Sequence, residues 1–220
     1  MADSATLRRI MVDTQVRPSD VTRFPIIAAM LDVPREAYVP GGAEAVAYAE
    51  EAIPLGDGRE MLEPRTLAKI FDALALAPHE DVLVVGAALG YSTALAARLA
   101  ASVVAVEEDP ALFAETEANL AAQEVLNAAV IEGPLAEGAP KAAPFDAILV
   151  DGGVEWVPDA LTAQLKEGGR IAVIVRAAAG RDMGEMRIGR RIGDRISWRM
   201  EFNAGAAPLP GFAAPKAFAL

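Results

Sequence analysis

The stretch Asp81-Val82-Leu83-Val84-Val85-Gly86-Ala87-Ala88-Leu89-Gly90-Tyr91 decides the fold. An unbroken apolar run stops at a glycine, a second glycine follows, and an alanine- and leucine-rich segment takes over to about Ala101. An unbroken apolar run this short is a strand buried on both faces, which is the signature of a parallel sheet covered by helices. The pattern repeats outward. Ser102 to Val106 is a second run ended by Glu107, with a helix from Pro110 to about Gln123 behind it. Ala128 to Ile131 is a third strand, Phe145 to Val150 a fourth ended by Asp151, and Gly169 to Val175 a fifth, preceded by a helix that Pro158 opens. Strands alternating with helices give an α/β domain with a doubly wound, mostly parallel sheet, and right-handed crossovers leave few other topologies. Met186 to Ile188 and Ile196 to Met200 read as later, more exposed strands, and Lys216 to Ala219 as one more.

Upstream of Pro78 the rhythm is helical. Leu7, Ile10, Met11 and Thr14 share a face behind Asp3 or Ser4 as cap. Pro25 opens an apolar helix over Ile26 to Leu31, and Pro64 opens another with Leu67, Ile70, Phe71 and Leu74 on one side. Pro40-Gly41-Gly42 and Pro54-Leu55-Gly56-Asp57-Gly58 are turn punctuation. The chain is read as an N-terminal helical cap with a substrate-loop region over 1–77 and a Rossmann-like sheet domain over 78–220, together one compact unit.

Composition excludes several functions. With 220 residues, 53% of them hydrophobic, the chain has enough apolar material for a full core. It has no cysteine and one histidine, His79, which removes disulfides, thiol nucleophiles and Cys- or His-based metal centres. A net charge of −11 argues against nucleic acid as a partner. No run approaches the ~20 apolar residues of a membrane span, and the first residues lack a signal peptide's apolar core. The reading is a cytoplasmic protein with neither nucleic acid nor membrane as partner. Charge is uneven: Lys166 to Arg199 holds nine basic and four acidic residues, read here as a solvated edge, since Lys and Arg protect exposed strands from pairing.

Ligands of doubly wound sheets bind outside the carboxyl ends of the strands, at the point where strand order reverses. The candidates collected there are Gly86, Ala88, Gly90 and Tyr91 in the first turn, Glu107 and Glu108 after the second strand, and Asp151 after the fourth. A carboxylate about 20 residues past the glycine turn accepts both hydroxyls of a ribose, which suits a nucleotide or an S-adenosyl group; an ordinary strand-to-helix turn is the alternative. No Gly-Lys-Ser/Thr follows Gly90, so this is no P-loop, and no G-x-S-x-G elbow is present. Asp146 and Asp151 lie an odd number of residues apart on one strand and face opposite ways, so no metal site is assigned.

Several motifs go beyond a generic sheet. Arg8 to Arg17, Leu31-Asp32-Val33-Pro34-Arg35-Glu36-Ala37-Tyr38-Val39-Pro40, Tyr48 to Gly56, Pro144-Phe145-Asp146-Ala147-Ile148-Leu149-Val150 and Leu165-Lys166-Glu167-Gly168-Gly169-Arg170 run from the cap through the fifth strand. In these the chain resembles the protein-L-isoaspartate O-methyltransferase family, most specifically in its "VPRE-x-[FY]-VP" segment. The resemblance implies S-adenosylmethionine as cofactor, an isoaspartyl-containing protein or peptide as acceptor, and methyl esterification as the start of protein repair. It places Leu62 and Glu63 in the substrate loop, where the family reads "ISxP" and this chain Met61-Leu62-Glu63-Pro64.

The chain departs from the family at several of these positions. The acidic residue usual in the first strand is Val84, the middle glycine of the turn is Ala88, and the "GDG" after the third strand is Gly133-Pro134-Leu135. Leu62 replaces a hydroxyl that contacts the acceptor, and Glu63 brings a negative charge beside an anionic substrate. Two other readings are carried: a non-catalytic relative that keeps the fold as a binding module, and a nucleotide-dependent oxidoreductase, which the Val-Pro-Arg-Glu cap disfavours. Among isolated residues, His79 is expected at the surface, Trp156 and Trp198 in packing, and Leu209 to Phe212 in a loop anchored by Phe212.

Overall fold

The computed structural model describes residues 3–176 and 183–214. The cap starts with α1 (Ser4–Met11), whose N-cap Asp3 accepts from the Thr6 N–H at 2.7 Å. It continues with α2 (Phe24–Asp32), which has Pro25 in its first turn. The Val-Pro-Arg-Glu segment between α2 and the next element is a staple. Arg35 is fully buried and donates from Nε to Ala47 O at 2.7 Å and from Nη2 to Leu62 O at 2.8 Å. Glu36 takes Arg8 of α1 and the Tyr48 hydroxyl. One motif thus ties helix α1 and two loops of the cap, satisfying backbone carbonyls that regular structure leaves open.

Where turns alone were expected, a short antiparallel hairpin forms: β1 (Ile53–Gly56) and β2 (Arg59–Met61). Strands of four and three residues are too brief for alternation to announce them. Then α3 (Pro64–Leu74) buries Leu67, Ile70, Phe71 and Leu74.

The main sheet comprises β3 (Asp81–Val85), β4 (Ser102–Glu107), β5 (Ala128–Glu132), β6 (Phe145–Val154), β7 (Leu165–Val175), β8 (Gly184–Ile192) and β9 (Arg195–Ala204). Helices α4 (Tyr91–Leu99), α5 (Pro110–Ala122) and the short α6 (Asp159–Thr162) connect the parallel strands. Spatial order is β5-β4-β3-β6-β7-β8-β9, with the β7–β8 and β8–β9 pairings antiparallel and the others parallel. The strands expected within the described residues are present; β6, β7, β8 and β9 run longer than the sequence alone suggests. Lys216 to Ala219 lies outside the described residues. The basic segment supplies much of β8 and β9, and β9 is the outer strand, where Arg195 and Arg199 are exposed.

Two apolar layers flank the sheet. Val82, Val84, Val103, Ala105, Leu149 and Ile174 face the cap with α3 and α4, while Leu83, Val85, Val106, Ile148, Val150 and Val173 face Leu135, Leu161, Leu209 and Phe212. Period-two alternation therefore feeds both cores from each strand. Phe212 is the anchor expected of the terminal loop, at 1% exposure. Trp156 and Trp198 are not core: they remain 42% and 40% exposed. His79 is exposed, as expected.

Candidate active site at the strand switch point

Strand order reverses at β3, which is flanked by β4 on one side and β6 on the other. The crevice therefore opens between Gly86, just past β3, and Asp151-Gly152 on β6. A register shift between Leu149 and Gly153 bulges β6 toward this point, with Asp151 and Gly152 in the bulge. Gly86 has φ +83° and lies so close to β6 that an added Cβ would sit 3.4 Å from Asp151 O. Ala88 holds φ +54°, a conformation a Cβ resists. Its N–H bonds a carboxylate and its carbonyl accepts from Thr116 Oγ1, so the turn is held at both ends.

That carboxylate is Glu107, fully buried at the end of β4. Oε2 accepts from Ala88 N at 2.8 Å and from Arg59 Nη2 at 3.0 Å. Oε1 accepts from Arg59 Nη1 at 3.0 Å, Glu108 N at 3.0 Å and Asp109 N at 3.3 Å. Arg59 comes from the hairpin β2 and is itself only 8% exposed. Sequence reasoning missed it, because its partner lies 48 residues away.

The other predicted residues scatter around this centre. Glu108 turns away and receives Leu135 N at 3.1 Å, tying down the Gly133-Pro134-Leu135 turn. Tyr91 opens α4 but its ring packs toward the cap, 4.8 Å from the Arg35 guanidinium carbon and 5.9 Å from the Tyr38 ring. Its hydroxyl is buried with only the Arg35 guanidinium to pair with among the described residues, and burial raises its pKa against the pull of that charge. Asp151 Oδ1 and Ser92 Oγ are likewise buried, and among the described residues they have only each other to pair with. Burial pushes the Asp151 carboxyl up to about 6, against the pull of Ser92, Arg59 and Arg35. Gly90, at φ +98°, precedes α4 and packs on Thr116 and Leu120.

In the substrate-loop region, Leu62 is 1% exposed and belongs to the core against the cap. Glu63 precedes α3, and its Oε1 accepts from Thr66 Oγ1 at 2.6 Å and from Arg65 Nη2 at 3.1 Å, so its charge is largely compensated. Beside it opens a cleft of about 460 Å3 lined by Glu60, Glu63, Arg65, Arg176, Asn203 and neighbouring backbone.

A sequence model of the protein-L-isoaspartate(D-aspartate) O-methyltransferase family matches residues 10–197. The chain belongs to the protein-L-isoaspartate O-methyltransferase family. It is 39% identical to the protein-L-isoaspartate O-methyltransferase of Methylorubrum extorquens over 90% of this chain and 85% of that one. The corresponding protein of Methanoregula boonei is 38% identical over 86% and 85%. Among solved structures, a protein-L-isoaspartate O-methyltransferase superposes with a TM-score of 0.81 at 21% identity, covering 95% of this chain and 66% of that one. A Plasmodium falciparum protein described under the same activity, in complex with S-adenosyl-L-homocysteine, superposes with a TM-score of 0.78 at 17% identity, covering 95% and 99%. The sheet is accordingly the Rossmann-like methyltransferase fold, and the family makes this chain an S-adenosylmethionine-dependent methyltransferase.

Proposed function

We propose that this protein methylates the free carboxylate of an isoaspartyl residue in damaged proteins or peptides, with S-adenosylmethionine as donor, in the cytoplasm. The observation that carries this reading is the reach of the family match: residues 10–197 take in the cap, the hairpin and the sheet alike. Fold alone would carry no activity. A neighbouring fold crystallised with S-adenosyl-L-homocysteine adds support for the donor class.

The acceptor side has suitable chemistry. Arg65 and Arg176 line the cleft beside the loop, and Arg176 Nε is buried with no partner among the described residues. Guanidinium groups bind carboxylates through paired, charge-assisted hydrogen bonds. Glu63, already engaged by Arg65 and Thr66, presents less repulsion than its bare charge suggests. Rate enhancement for such a transfer comes mostly from holding the acceptor oxygen in line with the methyl group.

The donor side, as arranged here, does not fit an S-adenosyl group. A carboxylate offers about four lone-pair sites. Glu107 already receives five donors, so none remains for a ribose. Leu209 also stands against Gly86 and Gly152, filling the switch point.

The test of the proposed function is transfer of a labelled methyl group from S-adenosylmethionine to an isoaspartyl peptide, with the normal aspartyl peptide as control. Base-labile label on the isoaspartyl peptide alone is the expected result. Equal labelling of both peptides, or none at any enzyme concentration, refutes the acceptor assignment.

A further inference from the structure

The segment that follows β9 runs back across the carboxyl ends of the strands. Gly153 N donates to Ala207 O at 2.7 Å and Leu209 N to Gly153 O at 2.8 Å, so Pro208 lies beside β6 in a short parallel bridge. Phe212 O then accepts from Glu155 N at 3.1 Å and Trp156 N at 3.3 Å. Between these ties the Leu209 side chain enters the switch point. A Cβ on Gly152 would lie 2.6 Å from Leu209 Cγ, and one on Gly86 would lie 3.3 Å from Leu209 Cδ2. At Gly152 any side chain would collide with the isobutyl group, while at Gly86 it would only crowd it.

The closure has a second half, supplied by one hairpin strand. Neighbouring residues of a strand point to opposite sides. On β2, Arg59 reaches Glu107 while Glu60 Oε1 accepts from Ala207 N at 2.6 Å. The same three-residue strand therefore caps the ribose-type carboxylate and latches the terminal segment.

We propose that the segment Ala206–Phe212 is an intrinsic plug of the donor crevice, so that donor and segment compete for one place and donor entry requires the segment to leave. The proposal rests on the donor reading above. Two further features support it. Among the described residues Ser92 Oγ and Asp151 Oδ1, on the elements that border the crevice, are buried with only each other to pair with, and an apolar plug adds no partner for either. Gly205, Pro208, Pro210 and Gly211 keep the segment out of any helix or long strand, so it leaves without dismantling the sheet. The Leu209 contact is thus one of two occupants of a site whose polar lining suits the other.

The apparent affinity for a ligand falls by the fraction of molecules that are open. Loosening the plug therefore tightens the donor without adding any contact to it. The experiment is calorimetric titration of the full chain with S-adenosylhomocysteine, comparing wild type, Leu209→Ala and Glu60→Ala, each first shown to melt cooperatively. Both variants are expected to bind about tenfold or more tightly than wild type. Amide hydrogen exchange supplies a second readout: ligand should speed exchange at Ala207 and Leu209 in the wild type. Wild-type binding as tight as that of both variants, with the Ala207 and Leu209 amides still protected, overturns the plug and leaves the methyltransferase reading standing. Folded variants that bind no more ligand than a non-binding wild type overturn both.

Discussion

Arg59→Met should lower stability and raise donor affinity at once, which is an unusual pairing of signs. The side chain is 8% exposed and forms a two-pronged pair at 3.0 Å with Glu107, which is fully buried. Removing one partner of a buried ion pair costs about 3–5 kcal/mol, because the other charge is left uncompensated. Glu107 would keep the N–H groups of Ala88, Glu108 and Asp109, so the lower end applies, about 3 kcal/mol. For a chain of this size each kcal/mol moves the midpoint by roughly 2–4 °C, so a fall of about 6–12 °C is expected. Methionine retains most of the arginine stem's apolar bulk, so lost packing adds little. The assay is chemical and thermal unfolding of wild type, Arg59→Met, Glu107→Gln and the double variant. The two single changes share one interaction, so the double variant should cost less than their sum by about 0.5–3 kcal/mol. Being buried, the pair should respond little to added salt. Meanwhile three donors remain on the roughly four lone-pair sites of Glu107, so one falls free, and S-adenosylhomocysteine should bind more tightly than to wild type. A loss below about 1 kcal/mol, the range of an exposed pair, would show that Arg59 does not neutralise Glu107. A loss of both stability and donor affinity would show instead that Arg59 builds the site it is here said to close.

Three further outcomes follow from single positions. Ala88 at φ +54° bears a left-handed strain of roughly 1–2 kcal/mol that glycine lacks, against a smaller entropic cost of glycine, so Ala88→Gly should raise the unfolding free energy measured in urea by up to about 1 kcal/mol; a clear destabilisation would refute the strain. Burial lifts the Asp151 carboxyl to about 6 from 3.8, so above pH 6 the folded state carries a charge it resists, and the penalty of about 2–3 kcal/mol vanishes as pH falls through 6 toward 4. Asp151→Asn should therefore be more stable than wild type at pH 8 and equal to it near pH 3.5, and parallel stability curves across that range would sink the assignment. Arg35→Met strands Ala47 O and Leu62 O without donors and should cost about 2–4 kcal/mol in unfolding experiments, with Arg35→Lys recovering only part, since one ammonium does not span both carbonyls.

The sheet was legible because buried parallel strands write themselves as unbroken apolar runs, with Gly86 and Glu107 at their ends; Asp151, read as the end of the fourth run, lies inside the longer and bulged β6. These are local signals, read from a handful of neighbouring residues. The cap motif was legible as a resemblance, and its physics became clear only in three dimensions: Arg35 and Glu36 bind backbone and side chains from helix α1 and two separate loops. Leu62 shows the limit of motif reading, since a position assigned to substrate contact carries a side chain that is 1% exposed and packs in the core. The closure of the crevice had no local signal at all. Arg59 sits in a hairpin too short to announce itself, and nothing near it in sequence shows that its partner is Glu107. Leu209 lies in a proline- and glycine-rich tail that reads as a loop held by Phe212, and that reading is correct as far as it goes. What it omits is direction. Whether a buried leucine fills a core or a ligand's place depends on which strand ends it meets, and Leu209 meets Gly86 and Gly152, the two residues across which strand order reverses. The same glycines that let a backbone approach a ligand closely also admit a side chain of the protein itself. The contest between the two is settled by the free energy that holds the tail down, not by the motif.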